Sequence, residues 1–454
     1  MSVGSTSSID LDRVEAEIAT VGRALEPKRG GAGRGPLRAV DERAMKLASS
    51  DRELRAALFR LVDVTPACRS LDDLGRHLAA FLDEVPERPS SLRAAMRASH
   101  SKAGRVALGA ATTAGVRHMA HRFIVGDSPA DARSELTKMW RHGLAASLDL
   151  LGEATVTAVE ADRYGDRCIE ALDQLTATAR EWSEHPALER DAIGPIPRAN
   201  LSVKISALTP RLHPEAPEVG FADAAERLRP ILRRARELEA HLHIDMEELD
   251  ALETTLELVL GLLAEDEFAA GPSAGLVLQA YLRESPAQLD RILAWAGAGQ
   301  RRHPLVVRLV KGAYWDREVT EADQHGWTAP VFTDKHECDR NFEVLTRRLL
   351  DARPEVRVAV GSHNLRSVAH AIAYNRAGGG DDRDLELQTL RGLGDELAAQ
   401  LAAQGFRVRV YCPVGDLVAG MAYLVRRLLE NTANESFLLA QSEGTPLEEL
   451  LAPP

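Results

Sequence analysis

Beyond Gly143 the chain alternates short apolar runs with long amphipathic helical patterns, and it does so eight times. Strands that alternate with helices indicate parallel pairing, with helices covering the sheet. Eight such units are what a closed barrel needs, so the pattern predicts an α/β fold, a (β/α)8 TIM-type barrel. An open, doubly wound sheet is the structural alternative. The eight runs are Leu148–Leu151, Leu201–Ile205, Leu242–Asp245, Leu276–Gln279, Leu305–Val310, Val356–Val360, Leu385–Thr389 and Val408–Tyr411.

The residues before this pattern fall into two parts. A Gly- and Arg-rich stretch from Lys28 to Arg38 is typical of a flexible arm or linker. The residues after it carry leucines at helical spacing, which predicts a helical domain. Ser128 as N-cap, Pro129 in the first turn and Gly143 past the end predict one further helix. We expect a flexible arm, a helical domain, the barrel and a C-terminal tail at residues 1–40, 41–122, 123–440 and 441–454.

Charge and cysteine usage exclude several classes of protein. The net charge of −12 argues against nucleic-acid binding, which needs a basic face. The four cysteines lie far apart, without the spacing of a disulfide framework or a zinc site, as expected in a reducing cytosol. No segment approaches the roughly eighteen apolar residues of a membrane span. We therefore expect a cytoplasmic protein and leave open peripheral contact at the inner face of the membrane.

Polar and aromatic residues gather where the predicted strands end. In barrels of this type the chemistry lies at the carboxyl ends of the strands, and we expect the middle layers to be packed hydrocarbon. A polar crown spread over all eight strand ends favours a functional site over scattered structural charges. Its members are Asp149, Glu153, Lys204, Asp245, Gln279, Tyr281, Arg308, Lys311, Tyr314, Trp315, Ser362, His363, Asn364, Gln388, Leu390 and Tyr411.

Three charged members of this crown are the most informative. A lone lysine at a strand end is more often a paired structural charge than a catalytic group. Burying an unpaired charge costs several kcal/mol, however, so a lumen that holds Lys204, Asp245 and Arg308 must be wet or filled by a ligand. Lys204 and Asp245 end adjacent strands, and we expect them to pair.

The helix predicted after the eighth strand carries two adjacent arginines. Tyr423 and Arg427 are four residues apart, as are Arg426 and Glu430, so one interpretation is a solvated, salt-bridged face. The other is a pair of guanidiniums over the barrel mouth that binds a carboxylate.

Several familiar motifs fail in context. The stretch Gly271–Gly275 matches GxSxG by letter, but its serine precedes a strand instead of following one. The chain has no strand-linked GxGxxG and no P-loop. His336, Cys338 and Asp339 lack the further partners of a metal site, so we expect no metal.

Taken together, the strand-end segments resemble the proline dehydrogenase family, especially the barrel domain of bifunctional proline utilisation A proteins. The fifth and the last segments are long and specific. The N-terminal helices resemble, more weakly, the helical region before that barrel. The matching segments are Leu148–Glu153, Ser202–Leu208, Ile244–Glu248, Leu278–Tyr281, Arg308–Asp316, Ser362–Asn364, Tyr411–Gly415 and Tyr423–Glu430.

The resemblance implies a reaction, a cofactor and two sets of site residues. The reaction is oxidation of L-proline to 1-pyrroline-5-carboxylate by hydride transfer to FAD, with a quinone-type electron acceptor. The implied flavin contacts are Gln279, Arg308, Val310, Gly312, Ala313, Trp315, Lys335, Ser362 and His363. The implied substrate pocket is Lys204, Asp245, Tyr314, Leu390, Tyr411, Arg426 and Arg427. The implied catalytic residues are Lys204, Asp245, Arg308 and Tyr411.

Two other functions remain open at this point. In a class I aldolase, Lys204 on a barrel strand would form a Schiff base. In a non-catalytic regulator, the barrel would only sense a ligand while the N-terminal helices bind a partner. The sequence also leaves open a homo-oligomer and a separate pyrroline-5-carboxylate dehydrogenase as partner.

Overall fold

The computed structural model describes most of the chain. The described residues are 9–26, 52–85, 93, 96–97, 99–152, 155–299, 301–416, 420, 440 and 444–454.

Eight parallel strands close into a barrel in chain order. The first and last strands close the barrel: β1 and β8 pair over seven positions, from Leu144 with Val408 to Leu150 with Val414. This pairing excludes the open sheet and confirms the predicted (β/α)8 barrel. The strands are β1 Leu144–Leu150, β2 Asn200–Lys204, β3 His241–Asp245, β4 Ser273–Gln279, β5 Leu305–Val310, β6 Val356–Gly361, β7 Leu385–Leu390 and β8 Arg407–Val414.

Helices precede the barrel and connect its strands. The helices before β1 are α1 Leu11–Leu25, α2 Arg52–Val64, α3 Leu71–Asp83, α4 Lys102–Phe123 and α5 Pro129–Arg141. Those that follow are α6 Ala158–Arg180, α7 Pro186–Glu189, α8 Pro217–Glu237, α9 Leu249–Leu263, α10 Ser285–Gly297, α11 Trp315–His325, α12 Lys335–Asp351, α13 Leu365–Ala377, α14 Asp395–Ala403 and α15 Leu447–Leu450. Short 3-10 turns lie at Thr65–Ala67, Ile205–Ala207, Asp266–Phe268 and Asp382–Asp384. Within the described residues, no helix is both long and apolar enough to cross a bilayer.

Successive side chains of a strand point alternately outwards, towards the helices, and inwards, into the lumen. On β2, Leu201 and Val203 are fully buried in the hydrophobic core, whereas Ser202 on the opposite face reaches a side chain of β5 inside the barrel. The expectation of hydrocarbon layers inside the barrel is wrong. Charged and polar side chains extend down the lumen from one end to the other, and they are held by one another. They include Ser147, Asn200, Ser202, His241, His243, Arg308, Arg357, Glu386, Gln388, Arg407 and Arg409.

Part of the expected flexible arm is an ordered helix. α1 packs on α13, and Val14, Ile18, Val21 and Leu25 enter the main hydrophobic core. These four residues recur at helical spacing, so burying one face offsets the entropy of ordering the segment. The Gly- and Arg-rich stretch from Lys28 to Arg38 lies outside the described residues.

One buried arginine fixes α1 to the barrel. The guanidinium of Arg366 donates to Glu15 on α1 at 2.6 and 2.7 Å and to Glu343 on α12 at 2.7 Å. It also donates to the carbonyl of Leu451 at 2.9 Å, so the segment after α15 joins the same contact.

The connection between α4 and α5 is hydrogen-bonded to the carboxyl end of β8. The amide of Val125 donates to the carbonyl of Pro413 at 2.9 Å. The amide of Gly415 donates to the carbonyl of Gly126 at 3.0 Å. The predicted start of α5 is confirmed: the hydroxyl of Ser128 accepts from the amide of Asp131, with Pro129 in the first turn.

Candidate functional site

Four of the predicted site residues meet at the carboxyl end of the barrel. Lys204 and Asp245 are the last residues of β2 and β3, and Arg308 and Tyr411 project inward from β5 and β8. Asp245 is the centre of the group: Arg308 Nη1 donates to its Oδ1 at 2.7 Å, and Tyr411 Oη donates to its Oδ2 at 2.6 Å. The guanidinium of Arg308 also lies over the ring of Tyr411, 5.4 Å from its centroid.

Lys204 pairs with Asp245 as the sequence predicted, but its closer partner is Asp149. The ammonium of Lys204 donates directly to Asp149 Oδ1, whereas it lies 3.8 Å from Asp245 Oδ2. Asp149 is completely buried on β1. The long stem of lysine lets its ammonium reach across to the neighbouring strand, while Asp245 turns towards Arg308. The four charges therefore form one network of two close pairs.

The network keeps Lys204 and Tyr411 protonated. Burial by itself lowers the pKa of Lys204, but Asp149 and Asp245 outweigh burial and raise it above the ordinary value for lysine. Burial raises the pKa of Tyr411 well above its ordinary value, and the same two carboxylates add to the effect. At neutral pH the site thus contains an ammonium ion and a neutral phenol that donates to Asp245.

Two serines hold Arg308 from the lumen side. Its Nη2 donates to Ser147 Oγ and to Ser202 Oγ, both at 3.2 Å. Ser147 Oγ donates in turn to Asn200 Oδ1 at 2.7 Å. Both serines are fully buried, so the guanidinium is fixed on two sides.

A second polar group lies at the carboxyl ends of β2, β3 and β4. The carboxylate of Glu247 accepts from Ser206 N at 3.0 Å and from Ser206 Oγ at 2.6 Å. Burial raises the pKa of Glu247, against the lowering effect of the Ser206 hydrogen bonds and Lys204. The side-chain amide of Gln279 donates to the carbonyl of Glu247 at 3.1 Å, and Gln279 Oε1 is buried without a partner among the described residues.

Gly312 forms a turn after β5. Its φ of 137° lies in a region that only glycine adopts freely. A methyl group at this position would also overlap the ring of Tyr281. The backbone of this turn therefore packs directly against the Tyr281 ring. Val310 and Ala313, which flank this turn, are half-buried and exposed respectively.

Two lysines beside this turn share one carboxylate. Lys311 donates to Asp339 Oδ1, and Lys335 donates to Asp339 Oδ2 at 2.7 Å. Two positive charges against one negative charge favour an anionic ligand. Trp315 is 41% exposed although its indole donates to the carbonyl of Phe332 at 2.9 Å, so its ring is available to a ligand.

The sixth and seventh strands carry the remaining predicted contacts. His363 Nε2 accepts from the amide of Leu390 at 2.9 Å, which fixes the imidazole beside β7. Ser362 Oγ accepts from the amide of Asn364 at 3.1 Å. Leu390 and Tyr314, predicted to line the substrate pocket, are both half-buried. Arg426, Arg427, Tyr423, Glu430 and Glu153 lie outside the described residues.

In the part of the chain that the structure describes, one group of possible metal ligands is present, far from this site in the sequence. Cys68, Asp73 and His77 in the helical region bring their ligand atoms within 4.8 Å of one another. The Asp73 carboxylate already accepts from the amide of Arg69 at 3.2 Å. All four cysteines are free thiols, as predicted.

Sequence comparison assigns both parts of the chain. A family model described as proline dehydrogenase matches residues 132–440. The chain belongs to the proline dehydrogenase family. A second model, the proline utilization A N-terminal domain, matches residues 15–123. The family predicted from the strand-end segments is therefore confirmed, including the weaker resemblance of the N-terminal helices.

Relatives of this proline dehydrogenase family member are of two kinds. The bifunctional protein PutA of Salmonella typhimurium is 33% identical over 352 residues, which are 75% of this chain and 25% of the relative. The proline dehydrogenase of Deinococcus radiodurans is 28% identical over 325 residues, 71% of this chain and 89% of that protein. The chain thus spans about a quarter of the length of the curated bifunctional relatives it matches.

Solved structures of proline utilization A match almost the whole length of this chain. The Bdellovibrio bacteriovorus protein, inactivated by N-propargylglycine, matches with a TM-score of 0.87 at 33% identity. The match covers 96% of this chain and 44% of that chain. A Bradyrhizobium japonicum variant matches with a TM-score of 0.73 at 29% identity, over 97% of this chain and 46% of that chain.

Proposed function

We propose that this chain is a flavin-dependent proline dehydrogenase that oxidises L-proline to 1-pyrroline-5-carboxylate. One observation carries the proposal. At the carboxyl end of a barrel of the proline dehydrogenase family, a buried network of charges is formed by Asp149, Lys204, Asp245 and Arg308. Such a network is costly to bury, and its position coincides with the place where barrels of this type bind their ligands. A quinone-type acceptor would then take the electrons from the flavin.

The residues around Gly312 fit FAD. Bound FAD would supply the acceptor for the hydride that leaves the proline ring. The unpartnered Gln279 Oε1, the exposed ring of Trp315 and the excess positive charge near Asp339 suit its polar, aromatic and phosphate groups. The residues that would hold it are Gln279, Arg308, Val310, Gly312, Ala313, Trp315, Lys335, Ser362 and His363.

The substrate would lie between the charged network and the predicted arginine pair. Arg426 and Arg427 would bind the carboxylate of proline bidentately. Leu390, Tyr314 and Tyr411 would contact its ring and restrict its orientation. Arg308, held by Ser147 and Ser202, would stabilise negative charge that develops on the cofactor side. Tyr411 would keep its proton on Oη, directed at Asp245.

The aldolase alternative conflicts with the charge on Lys204. A Schiff-base lysine must be a neutral amine in order to attack a carbonyl, and proteins achieve this by lowering its pKa. Asp149 and Asp245 raise the pKa of Lys204 instead. The regulator alternative predicts ligand binding without turnover, and only a rate measurement separates it from an enzyme.

A proline titration of the purified protein tests the proposal. We expect a yellow protein whose visible flavin absorption bleaches on anaerobic addition of L-proline and returns on addition of a quinone. Steady-state reduction of a quinone or a dye should depend on proline. A colourless protein that stays inactive after addition of FAD would refute the proposal. Covalent trapping of a substrate on Lys204 by borohydride would favour the aldolase.

A further inference from the structure

The amino end of the barrel encloses a polar cavity, opposite the candidate active site. Its walls include inward side chains near the starts of the strands, among them Asn200, His241, Ser273 and Arg407, and Pro197 also lines it. The cavity measures about 20 Å³, which is room for one water-sized guest.

The positive charges at this cavity outnumber the negative charges. Three guanidiniums, those of Arg357, Arg407 and Arg409, face two carboxylates, those of Asp191 and Glu386. Glu386 is ionised: burial alone raises its pKa, but Arg409 and Arg407 lower it to about 2. Among the described residues in contact with one another here, one positive charge is left over.

The two histidines at the cavity are neutral and leave this charge balance unchanged. Burial, followed by the effect of Arg409, lowers the pKa of His241 to about 3. Burial, followed by the effect of Arg308, lowers the pKa of His243 well below its ordinary value. Both imidazoles are therefore neutral at physiological pH, and the surplus positive charge stays.

The surplus charge lies on Arg407. Arg357 binds Asp191 with two hydrogen bonds of 3.0 Å, and Arg409 binds Glu386 at 2.9 and 3.1 Å. Arg407 shares Asp191 Oδ2 through its Nη1 at 3.0 Å, and its Nε lies 3.8 Å from Glu386, too far for a hydrogen bond. The residue is 1% exposed, so solvent does not compensate it.

Two buried nitrogens in this group have no hydrogen-bond partner in the described part of the chain. They are Arg407 Nε and His243 Nε2. His241 Nδ1 lies 2.9 Å from Ser273 Oγ, and its Nε2 lies 3.1 Å from His243 Nδ1. When Ser273 donates to this pair, His243 Nε2 carries a proton and is a donor. Buried donors without an acceptor are costly, so a ligand that accepts from them is favoured.

We propose that this cavity binds one small inorganic anion, a halide such as chloride, through Arg407 and His243. A single negative charge neutralises the surplus guanidinium, and a monatomic acceptor matches both the size of the cavity and the donors that face it. This site is separate from the flavin and proline residues, so it does not depend on the proposed function.

Bromide tests the site directly, because it is a halide that anomalous diffraction can locate. Crystals of the full chain grown in bromide should show an anomalous peak in the cavity between Arg407 and His243. In solution, the protein is exchanged into gluconate at constant ionic strength and titrated with chloride or bromide. We expect the melting temperature to rise by about 1–2 °C for each tenfold increase in halide above its Kd.

Variants separate binding from a general salt effect. Arg407→Met should abolish the halide-dependent rise, whereas the exposed Arg236→Met should retain it. Proline turnover should be the same in chloride and gluconate. A cavity that holds only water in bromide-grown crystals, or equal halide responses in wild type and Arg407→Met, would overturn the proposal. If Arg407→Met fails to fold, the bromide density of the wild type decides alone.

Discussion

Asp149, with no exposed surface, binds the ammonium of Lys204 from the neighbouring strand and so keeps this lysine charged in the candidate active site. The contact makes Asp149 a positioning residue for the network around Asp245. Its carboxylate has a second oxygen, Oδ2, that is buried without a partner among the described residues. Removing the charge of either partner should therefore lower the stability of the folded protein.

Replacing Asp149 tests this relationship. Asp149→Asn leaves Lys204 buried with only the more distant Asp245, and removing one partner of a buried pair costs about 3–5 kcal/mol. We expect a corresponding loss in the free energy of unfolding, measured in denaturant, together with a large loss of proline turnover. The matched control is Asp162→Asn, because Asp162 is 62% exposed in its pair with Arg227, and an exposed pair contributes about 0–1 kcal/mol. Equal effects of the two variants would contradict the positioning role.

Asp245 is expected to be the most sensitive residue of the site. Asp245→Ala removes the acceptor of both Arg308 and Tyr411 and leaves the guanidinium uncompensated, at about 3–5 kcal/mol. We expect lower stability and loss of turnover, measured by thermal melting and by proline-dependent reduction of a quinone. Wild-type melting with a wild-type rate would show that the network has no role in the reaction.

The arginine pair after β8 stays a prediction, and kinetics test it. If Arg426 and Arg427 bind the carboxylate of proline, each charge-assisted hydrogen bond is worth about 1.5–3 kcal/mol. Arg426→Met and Arg427→Met should then each lower kcat/KM by about ten- to hundredfold while FAD stays bound. Arg236→Met, on an exposed helix face, serves as control. A normal KM in both variants would refute the role, and loss of flavin in both would assign them to the cofactor.

Gly312 tests the shape of the flavin site. Gly312→Ala would place a methyl group against Tyr281 at a φ of 137°, so both sterics and backbone strain oppose it. We expect the purified variant to lose FAD, measured as the ratio of visible to protein absorbance, and to melt at a lower temperature. Gly297→Ala is the matched control, since an added methyl there meets nothing within 4 Å. Full flavin occupancy in Gly312→Ala would argue against a role of this turn in holding the flavin.

Glu386 should contribute to acid sensitivity. Its pKa of about 2 in the folded protein lies below the ordinary 4.5, so its contribution to stability is present above pH 4.5 and is lost as pH falls towards 2. The shift corresponds to about 3 kcal/mol. Glu386→Gln should therefore flatten the dependence of unfolding free energy on pH in this range, whereas Glu253→Gln at the surface should not. An unchanged slope in Glu386→Gln would mean that other carboxylates account for it.

The fold was predictable because each strand carries its own local signal. The run Leu305–Val310 coincides with β5 as observed, and Val356–Val360 differs from β6 by one residue. The helix α1 was missed because the Gly- and Arg-rich stretch after it dominates the composition of the first forty residues. Its apolar residues Val14, Ile18, Val21 and Leu25 were the available signal.

The membership of the site was predictable, and so was the pair of Lys204 with Asp245, but the closer partner Asp149 was not. Strand ends identify Lys204, Asp245 and Arg308, since strands of one barrel converge there. Which carboxylate Lys204 binds more closely depends on barrel register and on a flexible four-carbon stem, and the sequence specifies neither. Polar residues at the starts of strands, such as Asn200, His241 and Arg407, also carried a signal. These residues were not predicted as a site, because the chemistry of such barrels lies at the carboxyl ends of the strands and these residues lie at the amino ends.

The two hydrogen bonds between the α4–α5 connection and β8 bear on how the barrel can be isolated. A truncation that starts at residue 132, where the family model begins, removes Val125 and Gly126 and exposes the carbonyl of Pro413 and the amide of Gly415. Both groups lie just beyond Tyr411 and just before the segment that carries Arg426 and Arg427. A minimal barrel should therefore begin no later than Ile124, or it will fray at its substrate side.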